Sequence, residues 1–242
     1  MKARKKFKIL FLGVLIIGAI SFLINFVFDD DRESHLFGHS KYIFGIDISH
    51  YQGKVNWNKL QKSHHPIKYI FIRSTMGDDG VDSRFKQNWK NSKKHGYIRG
   101  AYHYYRPNEN STKQFNNFSN NTVLKKGDFI PILDVEEPSK LGKKNLKTGV
   151  LNWLKLAEAK YGVKPMIYSG RKFYEENLKG VTDKSYPIWI ASYSSKKKIK
   201  HINWTFHQFT EKVKVKGIRS RVDGNDFQGS IRNKKGDVLF FE

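Results

Sequence analysis

The chain has 242 residues and no cysteine, which excludes disulfides, thiolate metal sites and a cysteine nucleophile. Its hydrophobic content of 38% and aromatic content of 14% exclude a disordered chain and suit one folded domain of about 200 residues. The formal charge of +23 favours a polyanionic partner, and because no nucleic-acid-binding motif is present, an anionic membrane surface or cell-wall polymer is the better candidate.

The N-terminal residues predict an exported, membrane-anchored protein. Residues 9–28 form an uncharged run that is long enough to span a bilayer. Basic residues precede this run and three aspartates follow it, so the positive-inside rule places the N-terminus in the cytoplasm. We predict a basic cytoplasmic tail (1–8), a transmembrane signal anchor (9–28), a linker (29–40) and an extracytoplasmic domain (41–242), periplasmic or at the cell surface. A cleaved signal peptide, which would leave the domain secreted, is the alternative.

Beyond the linker, short apolar runs alternate with helical patterns. We predict strands at 42–48, 69–73, 98–105, 129–135, 165–169, 188–193, 204–209 and 222–227. We predict helices at 57–62, 83–94, 112–124, 146–161 and 173–178. This alternation indicates a parallel sheet closed into an irregular, TIM-like (β/α) barrel of about eight strands and five helices. A doubly wound open sheet is the alternative, although no glycine-rich phosphate loop supports it.

Two carboxylates at the end of the fourth predicted strand are the first candidate site. Asp134 and Glu136 lie two positions apart, so an extended strand points both to one face. Like charges this close raise the pKa of one group, which leaves a protonated acid beside an ionised carboxylate. Hydrolysis of a glycosidic bond needs that combination, while a solvated acidic turn is the other interpretation. Asp47 ends the first strand and Asp223 lies at the eighth, so a closed parallel barrel would gather all four acids at one mouth.

Aromatic residues lie at the ends of other strands, where sugar rings could stack on them. These are Tyr102, Tyr104, Tyr105, Tyr168, Trp189 and Tyr193. Packing inside the barrel is the alternative role for about half of them. No set of His, Asp and Glu has the spacing of metal ligands, so we predict neither a metal nor a cofactor.

Eight sequence blocks occur in an order that resembles one known family. The blocks are GIDISHYQG (45–53), FIRSTMG (71–77), GAYHY (100–104), ILDVE (132–136), PMIYS (165–169), PIWIASY (187–193), QF (208–209) and VDGN (222–225). Together they resemble glycoside hydrolase family 25, the Ch-type lysozymes that cut peptidoglycan. The likeness covers nearly all of the chain after the linker.

This resemblance implies a flattened barrel and a division of labour among the acids. The family hydrolyses the β-1,4 bond between N-acetylmuramic acid and N-acetylglucosamine with retention. Glu136 would be the general acid/base and Asp134 its partner, with Asp47 and Asp223 completing the cluster. The sugar site would be lined by Tyr102, Tyr168, Trp189, Tyr193, Gln208 and Asn225. Because two acids on one strand are poorly placed as opposed nucleophile and acid, we favour assistance by the substrate's N-acetyl group over a covalent intermediate.

The partners expected on this basis are peptidoglycan strands, the membrane through residues 9–28, and anionic wall polymers at the basic surface. We expect a monomer. Two other functions stay open: hydrolysis of chitin-like N-acetylglucosamine polymers, and a non-catalytic barrel that only binds glycan.

Overall fold

The computed structural model describes residues 42–181 and 186–229, which form one sheet flanked by helices. The strands are β1 (Ile43–Ile48), β2 (Tyr69–Met76), β3 (Gly80–Val81), β4 (Ile98–Tyr104), β5 (Ile132–Asp134), β6 (Met166–Gly170), β7 (Ile188–Ala191), β8 (Phe206–Val213) and β9 (Val222–Phe227). The helices are α1 (Trp57–Leu60), α2 (Phe85–Lys94), α3 (Ser111–Asn121), α4 (Gly142–Tyr161) and α5 (Arg171–Phe173), and α5 continues as a π-helical turn at Tyr174–Leu178. Two 3-10 turns lie at His50–Gln52 and Lys196–Ile199.

The sheet closes into a barrel. Its strand order is β1-β9-β8-β7-β6-β5-β4-β2-β3, and an additional pairing of β1 with β2 joins the two ends. Eight strands form the ring, while β3 is a short hairpin partner of β2 outside it. The predicted α/β barrel of eight strands and five helices is therefore confirmed, and the open sheet is excluded.

The direction of the last strand corrects the expectation of an all-parallel barrel. β9 runs antiparallel to both of its neighbours, β8 and β1. Its first residues therefore lie at the edge where the parallel strands end. Asp223 is at the start of its strand rather than at the end, and it still reaches the predicted edge because the strand is reversed.

Aromatic rings fill the barrel interior. Phe206 and Phe227 stack with ring centroids 4.5 Å apart, within a cluster that also contains Tyr69, Phe71, Phe129 and Trp189. Glycine makes room for these rings: a Cβ on Gly45 would lie 2.3 Å from the Tyr69 ring. Because the interior of the barrel is a packed core, space for a ligand is expected at a barrel end rather than inside it.

The helices cover the outside of the barrel through apolar stripes. In α4, Leu146, Val150, Trp153 and Ala157 are fully or almost fully buried at helical spacing, and Gly162 ends the helix with a positive φ of 69°. In the part of the chain that the structure describes, no helix has the length and apolar character needed to cross a bilayer. The predicted tail, membrane segment and linker, residues 1–8, 9–28 and 29–40, lie outside the described residues.

Candidate active site

A cavity of about 320 Å³ opens at the barrel end where the parallel strands terminate. Asp47, Asp134, Glu136 and Asp223 all line it. Asp47 and Asp223 are direct register partners on β1 and β9, and Asp134 is the last residue of β5. Barrel closure therefore brings together acids that are up to 176 positions apart in the sequence (223 minus 47).

Asp47 accepts hydrogen bonds from two side-chain amides, and further side-chain donors fix those amides in turn. Its Oδ2 atom accepts hydrogen bonds from Asn225 Nδ2 at 2.7 Å and from Gln208 Nε2 at 3.0 Å. Trp189 Nε1 donates to the Asn225 oxygen at 2.8 Å, and the hydroxyls of Tyr168 and Tyr193 each donate to the Gln208 oxygen at 2.9 Å. These outer donors fix both amides so that their N–H groups face the carboxylate.

Asp47 and Asp223 form a pair in which one proton is shared. Burial raises the pKa of Asp47, although the hydrogen bonds from Asn225 and Gln208 oppose this rise. Burial raises the pKa of Asp223 to about 8, with further contributions from the charge of Asp47 and the hydrogen bond between the two groups. Asp223 therefore carries the proton at neutral pH and donates it to Asp47.

Asp134 and Glu136 form a second pair of carboxyl groups, and each group affects the pKa of the other. Asp134 is 4% exposed, and its Oδ1 atom has no hydrogen-bond partner among residues 42–181 and 186–229. Burial, followed by the charge of Glu136, raises the pKa of Asp134 well above its usual range. Glu136 reaches solvent at the mouth, yet partial burial raises its pKa too; the hydrogen bond with Asp134 opposes this rise, and the charges of Asp223 and Glu137 add to it. The hydrogen bond between the two groups raises the pKa of Asp134 and lowers that of Glu136, so Asp134 holds a proton more tightly, while Glu136 is the more accessible of the two.

One buried cation faces these acids. Arg73 lines the cavity, is 7% exposed, and donates from Nε to Asp82 Oδ2 at 3.2 Å. Burial alone would raise the pKa of Asp82, but hydrogen bonds from His50 and Arg84 and the charge of Arg73 hold it below its usual value. The same guanidinium charge opposes the rise in the pKa of Asp134. Asp82 therefore fixes the position of a cation that favours ionised Asp134.

The predicted sugar-contacting residues divide into a floor, a rim and a support. Trp189 and Tyr168 are almost buried, with ring centroids 4.3 Å apart, and together with Tyr102 they form the floor. Tyr193 is 56% exposed and stands at the rim. Asn225 is fully buried behind Asp47 and does not line the cavity, and Gln208 lines it while holding Asp47.

The sequence reasoning did not select several residues that line the cavity. They are Ile48, Ser49, Tyr51, Gln52, Arg73 and Glu211. Tyr51 is 74% exposed, and the Arg73 guanidinium lies 5.0 Å from its ring centroid. A local signal for Tyr51 did exist, because Ser49 and Gln52 form a capping box around this turn. Nothing in the sequence links Asp82 to Arg73, since their contact depends on the β2–β3 hairpin.

Comparisons with known proteins agree with this geometry. A sequence profile of glycosyl hydrolases family 25 matches residues 46–218. The chain is 38% identical over 200 residues to the protein YegX of Escherichia coli K12, covering 81% of this chain and 73% of that protein. It is 32% identical over 202 residues to Lysozyme M1 of Streptomyces globisporus, covering 77% of this chain and 68% of that protein. A solved family 25 glycosyl hydrolase from Bacillus anthracis superposes with a TM-score of 0.71 at 28% identity, covering 79% of this chain and 92% of that one.

The raised pKa of Asp223 makes the stability of the fold depend on pH. The folded protein keeps this proton up to about pH 8, whereas in the unfolded chain a carboxyl with a pKa of 3.8 has lost it. The folded state thus binds more protons between these values, so the free energy of unfolding falls as pH rises through this window. We expect Asp223→Asn, whose amide donates to Asp47 at any pH, to lose less stability than the wild type between about pH 5 and about pH 9.

Urea denaturation at the two pH values measures this difference. Asp79→Asn, which removes a carboxylate from an exposed turn, is the matched control and should follow the wild type. An Asp223→Asn protein that loses as much stability as the wild type would contradict the shared proton.

Proposed function

The chain belongs to glycosyl hydrolases family 25, and we propose that it is a muramidase that cuts the β-1,4 bond between N-acetylmuramic acid and N-acetylglucosamine in peptidoglycan. The observation that carries this proposal is the convergence of four carboxyl groups in one cavity, with a proton shared between buried Asp134 and accessible Glu136. A protonated acid beside an ionised carboxylate is what glycoside hydrolysis requires.

In the proposed reaction, Glu136 acts first as an acid. Its proton passes to the glycosidic oxygen while the bond from that oxygen to C1 breaks. The acetamido oxygen of the same sugar forms a bond to C1 from the opposite face, and Asp134 accepts the hydrogen bond of the acetamido N–H. Water then attacks C1 while the bond from C1 to the acetamido oxygen breaks, and the water gives a proton to Glu136, so that two inversions give net retention. Support for the role of Arg73 comes from its fixed position, which favours the ionised form of Asp134 when substrate excludes water.

Asp47 serves this scheme as a fixed negative charge. Two amide donors and the protonated Asp223 stabilise its ionised form in spite of burial. An ionised carboxylate held in place can stabilise positive charge that develops on the sugar ring without reorganising during the reaction.

The first test replaces the proposed acid. We expect Glu136→Gln to keep the fold but to release reducing ends from purified peptidoglycan at least about 100-fold more slowly, because the amide cannot donate the proton. Glu176→Gln, which removes an exposed carboxylate from the π-helical turn, is the matched control and should retain wild-type activity. Full activity of Glu136→Gln would reject the assignment. A wild-type protein that binds glycan without releasing ends would support the binding-module alternative, and preferential cleavage of chitin oligomers would support the chitinase alternative.

The second test separates substrate assistance from a covalent enzyme intermediate. We expect de-N-acetylated peptidoglycan to be cut at least about 100-fold more slowly than the N-acetylated polymer, because the internal nucleophile is missing. Proton NMR of the first product formed should show the β anomer. Equal rates on both polymers, or a trapped sugar–enzyme adduct, would favour the covalent route.

We further propose that residues 9–28 anchor the protein in a membrane, with the basic tail in the cytoplasm and the hydrolase domain outside. The length of the uncharged run and the charges around it support this placement. We expect the full chain to stay in the membrane fraction after an alkaline wash, and added protease to digest the domain in cells with permeable walls. A soluble product whose N-terminus begins after residue 28 would establish the cleaved signal peptide instead.

A further inference from the structure

Two segments of the chain carry cations and no carboxylate. Residues 50–72 contain Lys54, Lys59, Lys62 and Lys68 and no Asp or Glu. Residues 212–222, which form the tip of the β8–β9 hairpin, contain Lys212, Lys214, Lys216, Arg219 and Arg221 and likewise no acid. We call these nine cations the hairpin patch.

The fold packs the two segments against each other. Asn56 N donates to Gly217 O at 2.8 Å, and His65 Nε2 lies 3.0 Å from Lys214 O. Gly217 has a φ of +94°, and a Cβ at this position would lie 2.3 Å from Asn56 O. The hairpin tip therefore approaches the start of α1 closely, so the two segments that carry the cations adjoin each other.

At the tip of the hairpin, apolar side chains are buried and charged side chains are exposed. Val213, Val215 and Ile218 are at most 8% exposed, while the five cations of the hairpin are all exposed. The four lysines of residues 50–72 are exposed as well. None of the nine cations forms an ion pair with any residue of 42–181 or 186–229, whereas Arg99, Arg171 and Lys196 elsewhere each pair with a carboxylate.

A surface that serves only for solubility normally mixes both signs of charge. Nine exposed cations on two adjoining segments without a carboxylate instead create a local positive field that concentrates polyanions. The patch also adjoins the cavity, because Glu211 and Asp223, which line the cavity, lie on the two strands of the same hairpin.

We propose that the hairpin patch binds the phosphodiester chain of an anionic wall polymer, and so holds the domain on the wall beside the glycan that it cuts. Seven of the nine cations are lysines, whose flexible ammonium groups suit evenly spaced phosphate charges on a flexible polymer. Val213, Val215 and Ile218 are buried and residues 212–222 contain no aromatic residue, so the tip of the hairpin offers no apolar side chain to insert into a bilayer and no ring on which bases could stack. The choice of a wall polymer rests on the proposed muramidase function, whereas the binding of phosphodiesters does not.

The test compares two triple variants of the full chain with equal loss of charge. Lys214→Gln, Lys216→Gln and Arg219→Gln together weaken the patch. Lys144→Gln, Lys155→Gln and Lys160→Gln together remove three exposed lysines from α4, which packs against α3 and the π-helical turn instead of the hairpin. The probe is lipid-free poly(glycerol phosphate), and its affinity is measured over a range of salt concentrations.

We expect the wild type to bind the probe with a steep dependence on salt, because cations of the patch displace counterions from the polymer. The hairpin variant should bind at least about tenfold more weakly and with a shallower salt dependence, while the α4 variant stays within about twofold of the wild type. If both variants bound the probe equally weakly, binding would depend on net charge alone, and the proposal that the hairpin patch is the binding site would be overturned. No binding by the wild type, or tighter patch-dependent binding of duplex DNA of equal charge, would also overturn the proposal.

Hydrolysis assays distinguish a failure of this proposal from a failure of the muramidase proposal. Both variants should release reducing ends from peptidoglycan stripped of phosphodiester polymers at the wild-type rate, and only the hairpin variant should be slower on intact walls. A chain that binds the polymer but cuts no peptidoglycan would reject the muramidase while leaving the patch in place. A muramidase whose hairpin variant is as fast as the wild type on intact walls would overturn the tethering role.

Discussion

The crowding of carboxyl groups in one cavity, where Asp47 and Asp134 are buried, is the constraint on which the rest of the site depends. Four carboxylates this close could not all be ionised, because burial and mutual repulsion raise the pKa of each. The protein resolves the conflict by pairing them: Asp223 carries a proton beside Asp47, and Asp134 shares one with Glu136. Each pair then contains a proton donor and a negative charge, which is the combination needed for acid-assisted cleavage.

The surroundings determine which member of each pair is ionised. Asn225 and Gln208 donate to Asp47, and their own orientations are fixed by outer donors. Asp134 has no comparable donors among the described residues, and the charge that favours its ionised form comes from Arg73. Neutral dipoles therefore favour the ionised form of Asp47, whereas a cation favours the ionised form of Asp134.

Barrel closure makes this arrangement possible. The aromatic interior is filled completely enough that the cavity lies on a rigid floor formed by Trp189 and Tyr168. Strand β9 enters the ring in the reverse direction, and this reversal brings both Asp223 to the mouth and the hairpin with its cations to the outer surface beside it. A single topological feature thus places a carboxyl group of the cavity and a basic surface next to each other.

The sequence by itself determined the barrel, the four acids and the family, because alternating apolar runs, a D-x-E spacing and ordered sequence blocks are local properties. It also placed Trp189, Tyr168, Tyr193, Gln208 and Asp223 in one region. Only the tertiary structure decided that β9 is antiparallel, that Asn225 lies behind Asp47, that Asp82 holds Arg73, and that two acid-free segments adjoin each other. These contacts join residues far apart in the chain, and they depend on strand direction and side-chain burial. Local residue patterns do not encode either one, since both follow from how the whole barrel closes.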